Sequence, residues 1–229
     1  MSDVIAELKQ DEVSFAAYDF ARNRHNTPKA AKKYSTRYAD NYKDAKEKAC
    51  ILAALEGLPK NSKVLDLPCG TGRMSYLIRD KGFNVVAADY ALPMLEEAKN
   101  KVEESGETNI VFEQQDIFNL TYADATFDAV ICNRLFHHFT TAHLREAALK
   151  ELKRVSKGKN IIVSFYSINT LSALVRALKH NFKASDFYHA YISLKQFDKE
   201  IKRCGLKIVS QYYVRKSISA QMYVKLSVI

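Results

Sequence analysis

The residues best suited to chemistry lie in "LDLPCGTGR", residues 65–73, where a carboxylate, Asp66, ends an apolar run and Gly70 and Gly72 follow. Glycines at that spacing let the backbone turn sharply and let a ligand approach it without meeting a Cβ. A triphosphate loop needs a Lys-Ser/Thr pair after its second glycine, but here Arg73 and Met74 follow. A dinucleotide fingerprint needs a third glycine or alanine, and Ser75 stands there instead. Asp66 would also repel a pyrophosphate, whereas it would favour the cationic end of a ligand. The loop therefore points to a nucleotide-like molecule that carries positive charge. A second candidate is the pair His137–His138, since an imidazole with an ordinary pKa near neutrality can take a proton from a hydroxyl or amine. Adjacent helical positions lie about 100° apart, so one of the two is expected to face a pocket.

The elements that position these residues are legible in the alternation from Val64 onward. "KVLDL", a helix over 72–81, "FNVVAAD", a helix over 91–104, "NIVFEQQD", a loop, "FDAVICN", a helix over 141–156 and "NIIVSFYS" follow one another. This is the sequence form of a doubly wound, mostly parallel sheet. Two helices precede it, over 3–24 and 29–57, broken around Thr27-Pro28. Residues 168–204 show helical periodicity throughout. The runs 206–214 and 219–229, joined by "RKSI", predict an antiparallel hairpin at the sheet edge.

At the glycine loop the sequence resembles the class I S-adenosylmethionine (SAM)-dependent methyltransferases, and the resemblance continues over about residues 60–165. It implies one α/β domain over 1–229 with a Rossmann-like, seven-stranded sheet, mostly parallel, closed by the antiparallel hairpin. It also implies an N-terminal helical lid (1–57) and a helical substrate cap (168–204). It implies SAM as cofactor, held by Asp66, Pro68, Cys69, Gly70, Gly72 and Arg73 of the loop and by Tyr90 and Met94 after the second strand. Asp89 would accept the ribose hydroxyls, and a buried lone acid needs such donors. Asp116 in "EQQDIFNL" would accept the adenine amino group, with Ile117 packing on the ring. Asn133 and Arg134 of "CNRLFHH" would contact the cofactor, and His138, with His137 second, would face the substrate as the catalytic base. "YSTRY" resembles the segment ahead of the domain in which an arginine, here Arg37, pairs with the methionine carboxylate. The wording "VLDLPCGTGR … NRLFHHF … RVS" is similar to a bacterial subgroup that methylates small molecules.

Other features narrow the chemistry. A Pro-Cys pair is the nucleophile motif of cytosine-C5 methyltransferases, but there it follows the fourth strand, so Cys69 reads as a small residue beside the ligand. Amino-directed nucleic-acid methyltransferases carry an Asp/Asn-Pro-Pro-aromatic turn after the fourth strand, and "CNRLFHH" contains none. The four cysteines show no CxxC spacing, which argues against a metal cage and a disulfide framework. At 47% hydrophobic and 27% charged, the composition is that of a globular chain without a membrane span. The N-terminus shows no secretory signal, so a cytoplasmic location is expected, with the membrane surface as a peripheral alternative. Thirty-five Lys+Arg against 26 Asp+Glu give a net charge of +9. That balance suits an anionic or lipid- or saccharide-linked small acceptor, nucleic acid or an anionic bilayer, without choosing among them. The leading reading is O- or N-methylation of a small molecule. The alternatives are an RNA or protein methyltransferase and a non-catalytic SAM-binding protein. Tyr34, Tyr38 and Tyr42 form one helical stripe that reads as packing or as a lid, and 168–183 carries an apolar face, Leu171, Leu174, Val175, Leu178 and Phe182.

Overall fold

The computed structural model describes residues 18–19, 22–37, 42–105, 109–180 and 190–229, excepting the side chains of 37, 103–105 and 176–180. Helices α1 (Pro28–Arg37) and α2 (Tyr42–Ala54) lead into β1 (Lys63–Asp66), α3 (Arg73–Asp80), β2 (Asn84–Asp89), α4 (Leu92–Ser105) and β3 (Ile110–Gln114). Then come β4 (Ala129–Cys132), a 3₁₀ turn (Phe136–His138), α5 (Ala142–Val155), β5 (Ile161–Ser167) and α6 (Leu171–His180). The chain closes with β6 (Tyr191–Ile192), α7 (Leu194–Arg203), β7 (Leu206–Tyr213) and β8 (Gln221–Val228).

The sheet order is β3-β2-β1-β4-β5-β8-β7, parallel through the first five and antiparallel at β8 and β7. Successive residues of a strand face opposite sides, which splits the apolar core in two. Leu65, Val86, Val130 and Val163 pack with α5 and α7 on one face, while Val64, Val85, Ile131 and Ile162 pack with α2 and α3 on the other. Because helices cover both faces, these strands are apolar on both sides, as a parallel sheet requires. The order reverses at β1, which pairs with β2 on one side and β4 on the other. Ligands of open α/β sheets bind outside the carboxyl ends of the strands at such a reversal.

Three expectations change. The sheet has eight strands, because a two-residue β6 lies parallel to Tyr166 and Ser167 of β5. Residues 168–204 are thus not helical throughout: β6 intervenes, and Ser193 caps the helix that follows, its Oγ accepting from Gln196 N at 3.0 Å, while 181–189 lie outside the described residues. Residues 29–57 hold two helices, with 38–41 outside the described residues. The helix expected over 3–24 lies mostly outside them as well, with helical backbone at 18–19 and 22–25.

A buried ion pair ties α5 to α7. Arg145 donates to Glu200 through Nε (2.8 Å) and a terminal nitrogen (2.7 Å), and its third nitrogen donates to Phe139 O at 2.7 Å. The fork geometry of guanidinium and carboxylate suits this bidentate contact. Among the described residues no helix is long and apolar enough to cross a membrane.

Candidate active site

The glycine loop begins where β1 ends. Leu67–Pro68 is a cis peptide, and Gly70 (φ 55°) and Gly72 (φ 80°) adopt left-handed backbone that side-chain-bearing residues avoid. A Cβ on Gly72 would lie 2.6 Å from the Tyr76 ring, and one on Gly70 3.3 Å from the Tyr34 ring of α1. Gly72 caps α3 without a side-chain acceptor, and the Ser75 amide in the first turn is met by the Asp66 carboxylate instead. Cys69 is buried, its amide donating to Ala88 O at 2.8 Å, and burial pushes its thiol well above the ordinary range. It is therefore a poor nucleophile, consistent with its reading as a small residue beside the loop.

Two buried acids flank this turn. Asp66 is 1% exposed; its Oδ2 accepts from Ser75 Oγ at 2.6 Å, and its Oδ1 has no partner. Burial pushes its carboxyl up to about 7, with Ser75 pulling the other way. The residue that breaks the dinucleotide fingerprint is thus the one that orients Asp66. Asp89 accepts from Gly70 N (2.8 Å) and Ala91 N (2.9 Å), one amide on each oxygen. Burial raises its pKa while these amides lower it. Each oxygen keeps a second lone pair, so the loop is clamped and the carboxylate can still accept from a ligand.

Met94 is buried with Ala31 and Ala91 against Tyr34, which seats α1 beside the loop. Of the tyrosine stripe, Tyr34 joins this packing and Tyr42 does not, being 62% exposed. Tyr38 and the Arg37 side chain lie outside the described residues. Asp116 accepts from Phe118 N at 3.0 Å and pairs with Arg22 at 3.2 Å. The Arg22 guanidinium in turn lies 3.9 Å over the Tyr90 ring. Sequence reasoning missed Arg22, which closes the N-terminal segment onto the end of β3. Ile117 is buried in the main core and Asp116 is not, so only one of this pair faces the site edge.

Arg73 reaches the second helix. It pairs with Asp44 and, at 2.8 Å, with Glu47, both on α2 and 2% and 1% exposed. These pairs fasten α2 to the start of α3. Glu47 also faces Arg134 at 3.7 Å, and burial raises its pKa against the pull of that arginine. These acids were missed although a signal existed: positions 44, 47, 50, 51 and 54 form one helical face, and carboxylates on a buried stripe need cationic partners. After β4, Asn133 Oδ1 accepts from Tyr223 OH (2.9 Å) and Ser164 Oγ (3.2 Å), while Arg134, at φ 60°, donates its amide to Ser164 Oγ at 2.7 Å. Side chains of β5 and β8 therefore fix the backbone that leads to the histidines.

His137 and His138 lie on the 3₁₀ turn and not on a flanking helix. His137 is 5% exposed, stacked 4.2 Å from Tyr166, and its carbonyl accepts from Ala190 N at 2.7 Å. His138 is half-buried, with its ring 4.1 Å from that of His137. Arg145, holding Phe139 O, anchors the far end of this turn. Among the described residues no group of three or more His, Cys, Asp and Glu could hold a metal ion, and all four cysteines are free and buried.

A sheet reversing at a glycine turn, with one acid at the end of each of the first two strands, is the arrangement in which an open α/β domain takes a ligand at its switch point. Residues 64–159 match the family described as "Methyltransferase domain". Over 116 residues the chain is 37% identical to the demethylmenaquinone methyltransferase of Thermus thermophilus, covering 49% of this chain and 50% of that protein. Over 113 residues it is 32% identical to the tRNA (carboxymethyluridine(34)-5-O)-methyltransferase of Arabidopsis thaliana, covering 49% and 26%. The fold matches magnesium protoporphyrin IX methyltransferase of Synechocystis with bound SAH at a TM-score of 0.76 and 19% identity, over 92% of this chain and 99% of that one. Over residues 64–159 the chain is thus similar to SAM-dependent methyltransferases, and it shares the fold of one that holds SAH. It spans about half or less of the length of the curated relatives it matches. The unpartnered Oδ1 of Asp66 fits that cofactor, whose ammonium and sulfonium supply the positive charge a buried carboxylate lacks.

Proposed function

We propose that this protein transfers a methyl group from SAM to an oxygen or nitrogen of a small-molecule acceptor, anionic or lipid- or saccharide-linked. The observation that carries the reading is the buried, unpartnered oxygen of Asp66 beside two left-handed glycines. Bound there, SAM would supply an activated methyl group on a sulfonium. Asp66 offers a carboxylate to its cationic end, Asp89 keeps lone pairs for ribose hydroxyls, and Asp116 would exchange Arg22 for the adenine amino group. Gly70, Gly72, Pro68 and Cys69 would form the turn that lies against the cofactor, the two glycines making way for the Tyr34 and Tyr76 rings, while Tyr90 and Met94 would border the nucleoside side. Asn133 and Arg134 hold the backbone after β4, and Arg37 is suited to a carboxylate at the methionine end.

His138, the more accessible of the two histidines, takes the proton from the acceptor as the methyl moves; His137, stacked and buried, supports it. Rate enhancement comes mostly from positioning and water exclusion, with α1 and α2 as the lid and 168–204 as the acceptor cap. Small-molecule acceptors agree with the absence of an Asp/Asn-Pro-Pro-aromatic turn after β4 and with the acceptors named for the menaquinone and porphyrin enzymes. A tRNA acceptor is the second reading, favoured by the Arabidopsis relative and the charge of +9. The test is methyl transfer from labelled SAM to quinols, hydroxyquinolones, porphyrins and bulk tRNA. Label in a small-molecule fraction supports the reading; label in tRNA alone replaces it with the second, and none in any fraction of a SAM-binding protein favours a non-catalytic role.

A further inference from the structure

At the amino ends of the parallel strands, opposite the glycine loop, the surface sinks into an open basin of about 920 Å³. Lys150, Lys153 and Arg154 reach it from the last turns of α5, Lys157 and Lys159 from the turn into β5, and Arg203 and Lys207 from the α7–β7 junction. No acidic side chain lines it. Three of these cations are neutralised from outside: Arg154 by Glu151 (2.8 Å) and Asp124 (3.0 Å), Lys157 by Asp128 (2.7 Å), and Arg203 by Glu146. Lys153 donates to Cys204 O at 3.0 Å. Lys150, Lys159 and Lys207 are exposed, and none has a carboxylate within ion-pair distance among the described residues.

Helix ends do not account for this excess. α5 and α7 both terminate here, and their partial negative charge is met by Lys153 and Arg154 on one and Lys202 and Arg203 on the other. Lys159 and Lys207 belong to neither helix. The floor carries paired backbone: Ser156 Oγ accepts from Gly158 N at 3.2 Å, Gly158 O from Val228 N at 2.9 Å and Gly205 O from Ile229 N at 3.2 Å. With those donors used, the basin lacks the converging amides that grip a single phosphate. Its cations instead surround a concavity, which a charged chain can follow. A bilayer would need protruding apolar side chains, and the only large ones here are Val228 and Ile229.

We propose that this basin binds the phosphodiester backbone of a nucleic acid, as a docking surface at the opposite end of the sheet from the methyl-transfer site. The proposal is independent of the acceptor, because a chain seated here contacts neither the glycine loop nor the histidine turn. Four cations without a carboxylate partner, Lys150, Lys153, Lys159 and Lys207, set the scale: the logarithm of affinity should fall against log salt with a slope of about −3.

Fluorescence anisotropy of the full chain with labelled single-stranded RNA, duplex RNA and DNA, over a salt series, reads this directly. The variant Lys150→Glu/Lys159→Glu/Lys207→Glu should lower affinity by at least ~10-fold and flatten the slope by about 2, with SAM affinity and thermal midpoint unchanged. Lys81→Glu/Lys99→Glu/Lys195→Glu makes the same change in net charge on other faces and should leave binding near the parent value. Preference among the three nucleic acids identifies the source. No binding to any of them, equal loss in both variants, or basin-dependent binding to anionic phosphatidylglycerol vesicles without nucleic-acid binding would each overturn the proposal.

Discussion

At the carboxyl ends of the strands the polar groups that matter are buried acids: Asp66, Asp89, Asp44 and Glu47, each held by a hydroxyl, by amides or by arginine. At the amino ends they are exposed lysines over a floor of paired backbone. Burial makes an ionised group costly, so it persists only where partners are specific, and that specificity suits one discrete ligand. Exposed cations act through solvent and are screened by salt, which suits an extended anion. One end therefore selects by geometry and the other by charge.

That contrast can be broken at several points. The largest effect is expected at His138: with an acceptor in hand, His138→Ala should lower turnover by ~10²–10⁴-fold at nearly constant SAM affinity. A variant that keeps its rate and pH profile removes His138 from the proton transfer and leaves positioning as the source of catalysis. Next is Arg145→Ala, which strands Glu200 in the core and frees Phe139 O. It should cost about 3–5 kcal/mol of folding stability in denaturant titration, whereas the double replacement Arg145→Met/Glu200→Met should restore most of it. A single variant as stable as the parent would show that the pair is not buried in solution. Smaller in scale, Asp89→Ala removes the two amide contacts that clamp the loop and should weaken SAM binding by at least ~10-fold, since a hydrogen bond to a charged group is worth about 1.5–3 kcal/mol. Unchanged affinity in a folded variant would mean that another acid does this work.

The same contrast separates what the sequence reveals from what it hides. The succession of strands and helices along the chain, the glycine turn and the terminal hairpin are legible because apolar periodicity and glycine spacing are local. So are Asp66 and Asp89, which stand at the ends of apolar runs. The role of Arg73 was not legible: its neighbours in sequence belong to the loop, and its partners lie 29 and 26 residues earlier on α2. The Arg22–Asp116 contact spans 94 residues, beyond any local pattern. The two-residue β6 carries too few residues to show a period. The basic basin gathers lysines from α5, two turns and β7, so no run of charge announces it along the chain.

The central claim, that the carboxyl end binds SAM through a buried acid, is tested most directly by calorimetry of SAM binding between pH 6 and 8, in buffers of different ionisation enthalpy. Asp66 titrates near 7 in the folded protein, well above its value in an unfolded chain, so the protein without ligand loses stability as pH rises from the ordinary carboxylate range to about 7. A cationic ligand favours the ionised form and reverses that preference. Binding should therefore release protons at the lower pH and tighten by up to about tenfold as pH rises through 7. In Asp66→Asn, which keeps an acceptor for Ser75, binding should be weak and insensitive to pH, and the variant should be at least as stable as the parent at pH 8. Saturable SAM binding with proton release, and none by NAD, is the result the account predicts. Saturable NAD binding without SAM binding, or SAM binding that is flat with pH and unaltered by Asp66→Asn, would contradict it.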